Sequence, residues 1–155
     1  MTNEINLQTT YSNETLKEKF LTTKGRINRL TFLKRSIILI AVNFFAVFFT
    51  IFLTMLGTMS FELPQWAGLI LLWIMGVFLI PDYCINVKRL HDLGKDATLA
   101  KIFLGVNIIS LTYNFTLAPT ETFSAFEIIL TALLLGFFAC LLFIKGDDGA
   151  NEYGN

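Results

Sequence analysis

The stretch SIILIAVNFFAVFFTIFLTMLG, from Ser36 to Gly57, runs for 22 residues without a charged side chain. A helix rises about 1.5 Å per residue, so about 20 apolar residues cover the roughly 30 Å hydrocarbon core of a bilayer. This stretch therefore reads as a membrane-crossing helix. Three further runs reach the same length, from about Pro64 to Tyr83, about Thr98 to Leu117 and about Ser124 to Ile144. The run from Thr98 is the most dilute, because Asn107, Ser110, Thr112, Tyr113 and Asn114 interrupt it. The expected fold class is all-α: a four-span transmembrane helical bundle with cytoplasmic N- and C-termini and an N-terminal interfacial amphipathic segment.

Composition agrees with lipid as the solvent. Apolar residues make up 54% of the 155, charged residues only 15%, and the mean hydropathy is +0.62. An average soluble domain carries about 25% charged residues. The length fits one domain, read as an integral membrane unit over 13–155 behind a disordered tail over 1–12. A secretory signal needs a short apolar core close to the N-terminus, whereas the first 30 residues are hydrophilic. The first apolar run is expected to remain as an anchor.

The net charge is zero, which gives no reason to expect a nucleic-acid partner, but its distribution carries information. Lys17, Lys19, Lys24, Arg26, Arg29, Lys34 and Arg35 precede the first span; Lys88, Arg89 and Lys95 lie between the second and third; Lys101 opens the third; Lys145 follows the fourth. With four spans all twelve fall on one side, and the positive-inside rule makes that side the cytoplasm. Three or five spans would scatter them. Residues 13–35 interleave Leu16, Phe20, Leu21, Ile27, Leu30, Phe32 and Leu33 with basic residues. They read as a membrane-surface helix or an ordered approach to the first span, with a break at Gly25, or else as a solvated basic flank that fixes topology. Gly57, Pro64, Pro119 and Gly146 punctuate the helix ends, leaving short hairpins over 58–63 and 118–123.

Chemistry-bearing residues concentrate in Lys88-Arg89-Leu90-His91-Asp92-Leu93-Gly94-Lys95-Asp96, which holds the sole histidine. If the second helix continues through Pro81 to about Asp92, Asp82, Asn86 and Arg89 share a face. Lys88 and Asp92 then form an i, i+4 pair, and Gly94 ends the helix. His91 and Asp92 are adjacent and so point apart on a helix, with no nucleophile in a motif beside them. A catalytic site is not expected. One histidine with scattered carboxylates falls short of a metal ligand set, and the acidic tail lacks the order of a calcium loop. No cofactor is expected. Cys84 and Cys140 read as packing residues. Exposed basic groups would meet anionic lipid headgroups.

Within the spans, Asn43, Asn107, Ser110 and Asn114 are polar, the last three in one helical stripe. A stripe of this kind lines a polar cavity or bonds neighbouring helices together. In the fourth span Ala132, Gly136 and Cys140 form a small-residue ridge suited to close helix packing, within the chain or with a second copy. Glu127 is the acidic residue in that span, near its outer end.

Three motifs together resemble a bacterial inner-membrane family known as domain of unknown function 805. Gly25-Arg26-Ile27-Asn28-Arg29-Leu30-Thr31-Phe32 is similar to that family's G-R-x-x-R-x-x-F entry to the first span. Lys88 to Lys95 is similar to its R-L-H-D-x-G-[KR] loop, and Gly146 to Gly154 to its G-x-x-G-x-N-x-[FY]-G tail. The likeness runs from about residue 20 to the C-terminus. Leu33 stands where the family often has tryptophan, and Asp96-Ala97-Thr98 where it has serine-glycine-tryptophan, so aromatic anchors are missing here. The resemblance implies a fold and an inner-membrane location, and no reaction.

On four spans the three motifs share the cytoplasmic face. The residues expected to converge there are Arg26, Arg29, Arg89, His91, Asp92 and Asn151, with Asp82 close by. The expected function is non-enzymatic: assembly, or contact with a partner protein, a second copy or lipid through that charged cluster. The alternative is a small transporter or channel subunit using the polar stripe, and a third reading is an enzyme acting on lipid headgroups through His91 and Asp92.

Overall fold

The computed structural model describes residues 14–59, 64–116, 124–147, 149 and 151–153. The described residues are all-helical and form five helices: α1 (Leu16–Phe20), α2 (Arg29–Thr58), α3 (Gln65–Asp92), α4 (Thr98–Thr116) and α5 (Ala125–Phe143). By length and composition α2, α3 and α5 can each cross a membrane. The expected tail over 1–12, Pro119 and most of both short hairpins lie outside the described residues.

Helix ends depart from the sequence reading for local reasons. α2 starts at Arg29 rather than Ser36, because the Asn28 side chain accepts from the Thr31 N–H at 2.8 Å and caps the helix two turns early. It also runs past Gly57, and Met59 takes the left-handed position at φ 51°. α3, by contrast, follows the sequence reading through Pro81 to Asp92. There Gly94, at φ 64°, closes a Schellman turn: its N–H donates to His91 O at 3.2 Å and the Lys95 N–H to Leu90 O at 2.9 Å.

From residue 14 to 28 the chain is a short helix and an ordered approach to α2, broken at Gly25 as the sequence indicated. α1 spans five residues behind a Thr15–Glu18 capping box. Hydrogen bonds from Thr15, first its backbone N–H and then its hydroxyl, hold the Glu18 carboxyl below its ordinary pKa. The chain then breaks, with Gly25 at φ 85° before α2. The last carbonyls of α1 are met by cations from elsewhere: Lys88 Nζ bonds Glu18 O, and Arg35 bonds Lys19 O at 3.1 Å and Glu14 at 2.5 Å.

Successive long helices pack as neighbours, and α5 returns to touch α2 and α3. Burial concentrates at the end where α3 stops, among Ile27, Phe32, Ile85, Val87, Leu90, Ala100 and Leu141. Phe32 lies 5.4 Å from Phe138, and Phe103 stacks on Phe137 at 3.7 Å. Outer faces are equally apolar, with Phe44, Phe45, Phe48, Phe49 and Phe52 exposed along α2. Hydrocarbon supplies no hydrophobic force between such helices, so close packing and polar contacts must fix their arrangement.

Candidate functional sites: a polar junction and a cavity between helices

The end of α3 gathers three separate segments. The Ile27 N–H donates to Lys88 O at 3.3 Å, and the Asp147 N–H to Asp92 O at 2.8 Å, tying the approach to α2 and the tail after α5 to one helix end. Asp92 is 7% exposed and accepts from two guanidinium groups, Arg26 Nε at 3.1 Å and Arg89 Nη1. Arg26 reaches on to Gly149 O and Asp147 O, each at 2.6 Å. Arg89 is fully buried and donates Nε to Leu141 O at 2.7 Å and Nη2 to Ile144 O at 2.5 Å. Those carbonyls end α5 and have no partner within their own helix, so a buried cation satisfies both their hydrogen bonds and the negative pole of the helix. The planar fork of arginine serves three acceptors at once, which a point-charge ammonium cannot.

His91 is built into the same junction. Nδ1–H donates to Gly25 O at 3.2 Å, the ring stacks on Tyr153 at 3.9 Å with planes 4° apart, and His91 O accepts from Asn151 Nδ2 at 2.8 Å. Asn151 Oδ1 in turn takes the Tyr153 N–H at 3.0 Å. With one nitrogen bonded and one face covered, the imidazole holds the tail. Two glycines explain why the motifs carry them. A Cβ on Gly94 would come within 2.6 Å of Asp147 Oδ2, and one on Gly146 within 2.7 Å of Asp92 Cγ and 2.9 Å of Asp92 O. At Gly146 the backbone of Asp92 leaves no room for a side chain, whereas at Gly94 the left-handed φ is what favours glycine, since the Asp147 carboxylate can move aside.

Arg26, Arg89, His91, Asp92 and Asn151 thus meet. Arg29 is exposed at the start of α2 and makes none of the ion pairs among the described residues, which run through Arg26 and Arg89 at the junction. The expected Lys88–Asp92 pair is replaced, because Lys88 turns to Glu18 O while Asp92 is shared by two arginines. Arg89 likewise faces α5 instead of joining Asp82 and Asn86. The sequence reading missed Tyr153 and Asp147 as contacts, although both stand inside the tail motif. Glu127 serves α5 as a cap, its carboxylate accepting the Ser124 N–H at 2.7 Å. At the start of α4, the Thr98 hydroxyl and N–H hold the Asp96 carboxyl below its ordinary pKa.

Asp82 belongs to a different place. It lies ten residues before Asp92, about 15 Å along α3, with Asn86 Nδ2 donating to it at 3.0 Å. There it lines a cavity of about 760 Å³ between α2, α3 and α4. Asn43 enters from α2 and Asn107, Ser110 and Asn114 from α4, among apolar walls that include Leu39, Met75 and Phe78. The stripe does not bond across helices. Asn107 donates to Phe103 O at 2.9 Å and Asn114 to Ser110 O at 2.8 Å, both within α4.

Among the described residues no three of His, Cys, Asp or Glu are grouped to hold a metal ion. Cys84 is buried, Cys140 is exposed, and both are free thiols. Comparison with known proteins matches residues 20–155 to a family model described as a protein of unknown function, DUF805, while no curated protein and no solved structure matches. That span holds the three motifs and nearly every residue of the junction and the cavity, and the chain accordingly belongs to the DUF805 family.

Proposed function

We propose that the chain is a four-span inner-membrane protein with cytoplasmic termini, non-enzymatic, which takes up a small molecule in the cavity between α2, α3 and α4 for passage across or along the bilayer. The observation that carries this reading is the convergence of Asn43, Asp82, Asn107, Ser110 and Asn114 from three helices onto one cavity. Polar and ionisable side chains at membrane depth are costly and mark pathways or binding sites. Support for α4 as a span comes from its 19 residues and from charge placement, since all twelve lysines and arginines then share one side. The exposed Lys24, Arg29, Lys34, Lys95 and Lys145 suit contact with anionic headgroups there. The junction acts on this reading as a lock that fixes α2, α3 and α5, because its donors and acceptors are engaged with one another.

The test is access of water to the stripe. In a variant lacking Cys84 and Cys140, cysteine at Asn107 is expected to react with a water-soluble thiosulfonate in intact membranes. Cysteine at the exposed, lipid-facing Ile109 is expected to react at least about tenfold more slowly, since only hydrated thiolate is reactive. Equal protection at both positions overturns the cavity reading.

A second reading is assembly between copies, favoured by one observation: Ala132, Gly136 and Cys140 are all exposed on α5, and a Cβ at Gly136 would meet nothing within 4 Å. If this ridge pairs with itself, mild oxidation of native membranes is expected to link Cys140 into a dimer, and Gly136→Leu to abolish the link. A monomer band after oxidation removes this reading.

A further inference from the structure

Resting on the cavity reading above, we infer that the molecule taken up is a small organic ammonium ion with an apolar body, Asp82 supplying the counter-charge and the polar groups of α4 accepting its N–H bonds. Charge is the first argument. Asp82 is the ionisable side chain on the cavity wall, and none of the ion pairs among the described residues includes it. The nearest cations on its own helix are engaged elsewhere, Lys88 with Glu18 O and Arg89 with Asp92 and the end of α5. A carboxyl at membrane depth without a cationic side chain beside it either holds a proton or takes its counter-charge from outside the fold, and a bound cation supplies the second.

Hydrogen-bond polarity points the same way. One carboxylate oxygen of Asp82 receives the Asn86 amide, leaving the other as an acceptor. Asn107 and Asn114 each direct one N–H to a carbonyl of their own helix, which leaves each carboxamide oxygen, with the second N–H, for a ligand. With the Ser110 hydroxyl and the Asp82 oxygen, these groups give the polar side of the cavity several acceptors. An anion would meet like charge at Asp82. A neutral amphiphile would leave the Asp82 carboxyl to be neutralised by a proton alone. An ammonium group supplies both the charge and several donors, and Phe78 adds an aromatic surface that attracts cations. The volume, about 760 Å³, is that of a drug-sized ligand site, in a cleft that is open on one side and has mostly apolar walls.

The experiment uses the full chain in phosphatidylcholine nanodiscs and three probes that share one apolar body: phenylbutylammonium, phenylbutanol and phenylbutyrate. Equilibrium dialysis is expected to give saturable binding of the ammonium probe with Kd at least about tenfold below that of the alcohol, and no saturable binding of the carboxylate. Asp82→Glu is expected to keep the preference and Asp82→Asn to remove it. Because the wild-type comparison is decisive alone, a variant that fails to fold does not blunt the test. Equal binding of all three, or preference for the alcohol or carboxylate, overturns the cationic assignment; if Asn107→Leu then blocks that binding, the cavity reading stands. Absence of saturable binding by every probe, with Asn107→Cys inert to aqueous thiosulfonate, overturns both.

Discussion

Arg89→Met is expected to abolish accumulation of folded protein. The substitution leaves Asp92 with Arg26 alone and strips the Leu141 and Ile144 carbonyls of their donor. Removing one partner of a buried, hydrogen-bonded ion pair costs about 3–5 kcal/mol, and the orphaned carbonyls add to that. Most folded proteins have only about 5–15 kcal/mol in total. Size-exclusion chromatography of a detergent extract should show loss of the monodisperse peak. Arg89→Lys should give an intermediate loss, since one ammonium cannot span acceptors from α3 and the end of α5. A monodisperse Arg89→Met protein at wild-type abundance would mean that the junction does not hold the helices together.

Gly146→Ala is the second large effect, expected to destabilise by about 1–3 kcal/mol through overpacking against Asp92. The new methyl group meets the Asp92 carboxylate and its backbone oxygen. That oxygen cannot withdraw without breaking its 2.8 Å bond from the Asp147 N–H. The matched control is Gly149→Ala in the same tail motif, where a Cβ would meet nothing within 4 Å. It should change stability by no more than about 0.5 kcal/mol. Thermal unfolding midpoints of the two variants, read side by side in detergent, separate the close-approach glycine from the merely recurrent one. Equal midpoints would show that loop and tail do not meet as described.

Much of the fold was legible because its signals are local and periodic. Apolar runs near twenty residues are properties of short windows. The helix through Pro81 to Asp92 and its stop at Gly94 were readable for the same reason. Boundaries slipped where a single hydrogen bond outweighed hydropathy: Asn28 capping Thr31 moves the start of α2 back from Ser36 to Arg29. The five-residue α1 was hidden in a basic, amphipathic stretch, because what ends it is Lys88 and Arg35 reaching its last carbonyls from distant positions.

The sequence by itself determined that this chain is helical, that it is apolar enough for lipid, and that its charged motifs lie at the helix ends. These follow from composition and spacing, which act on each segment alone. Only the tertiary structure decided which charged residues pair. Asp92 faces two arginines from different segments rather than Lys88 one turn away, and Arg89 turns from Asp82 to the end of α5. It likewise decided that Asp82 leaves the junction and joins Asn43 and the α4 stripe around a cavity. The physical reason is distance: a carboxylate acts on what lies within a few ångströms, and which groups those are is set by how helices separated by tens of residues come to lie side by side.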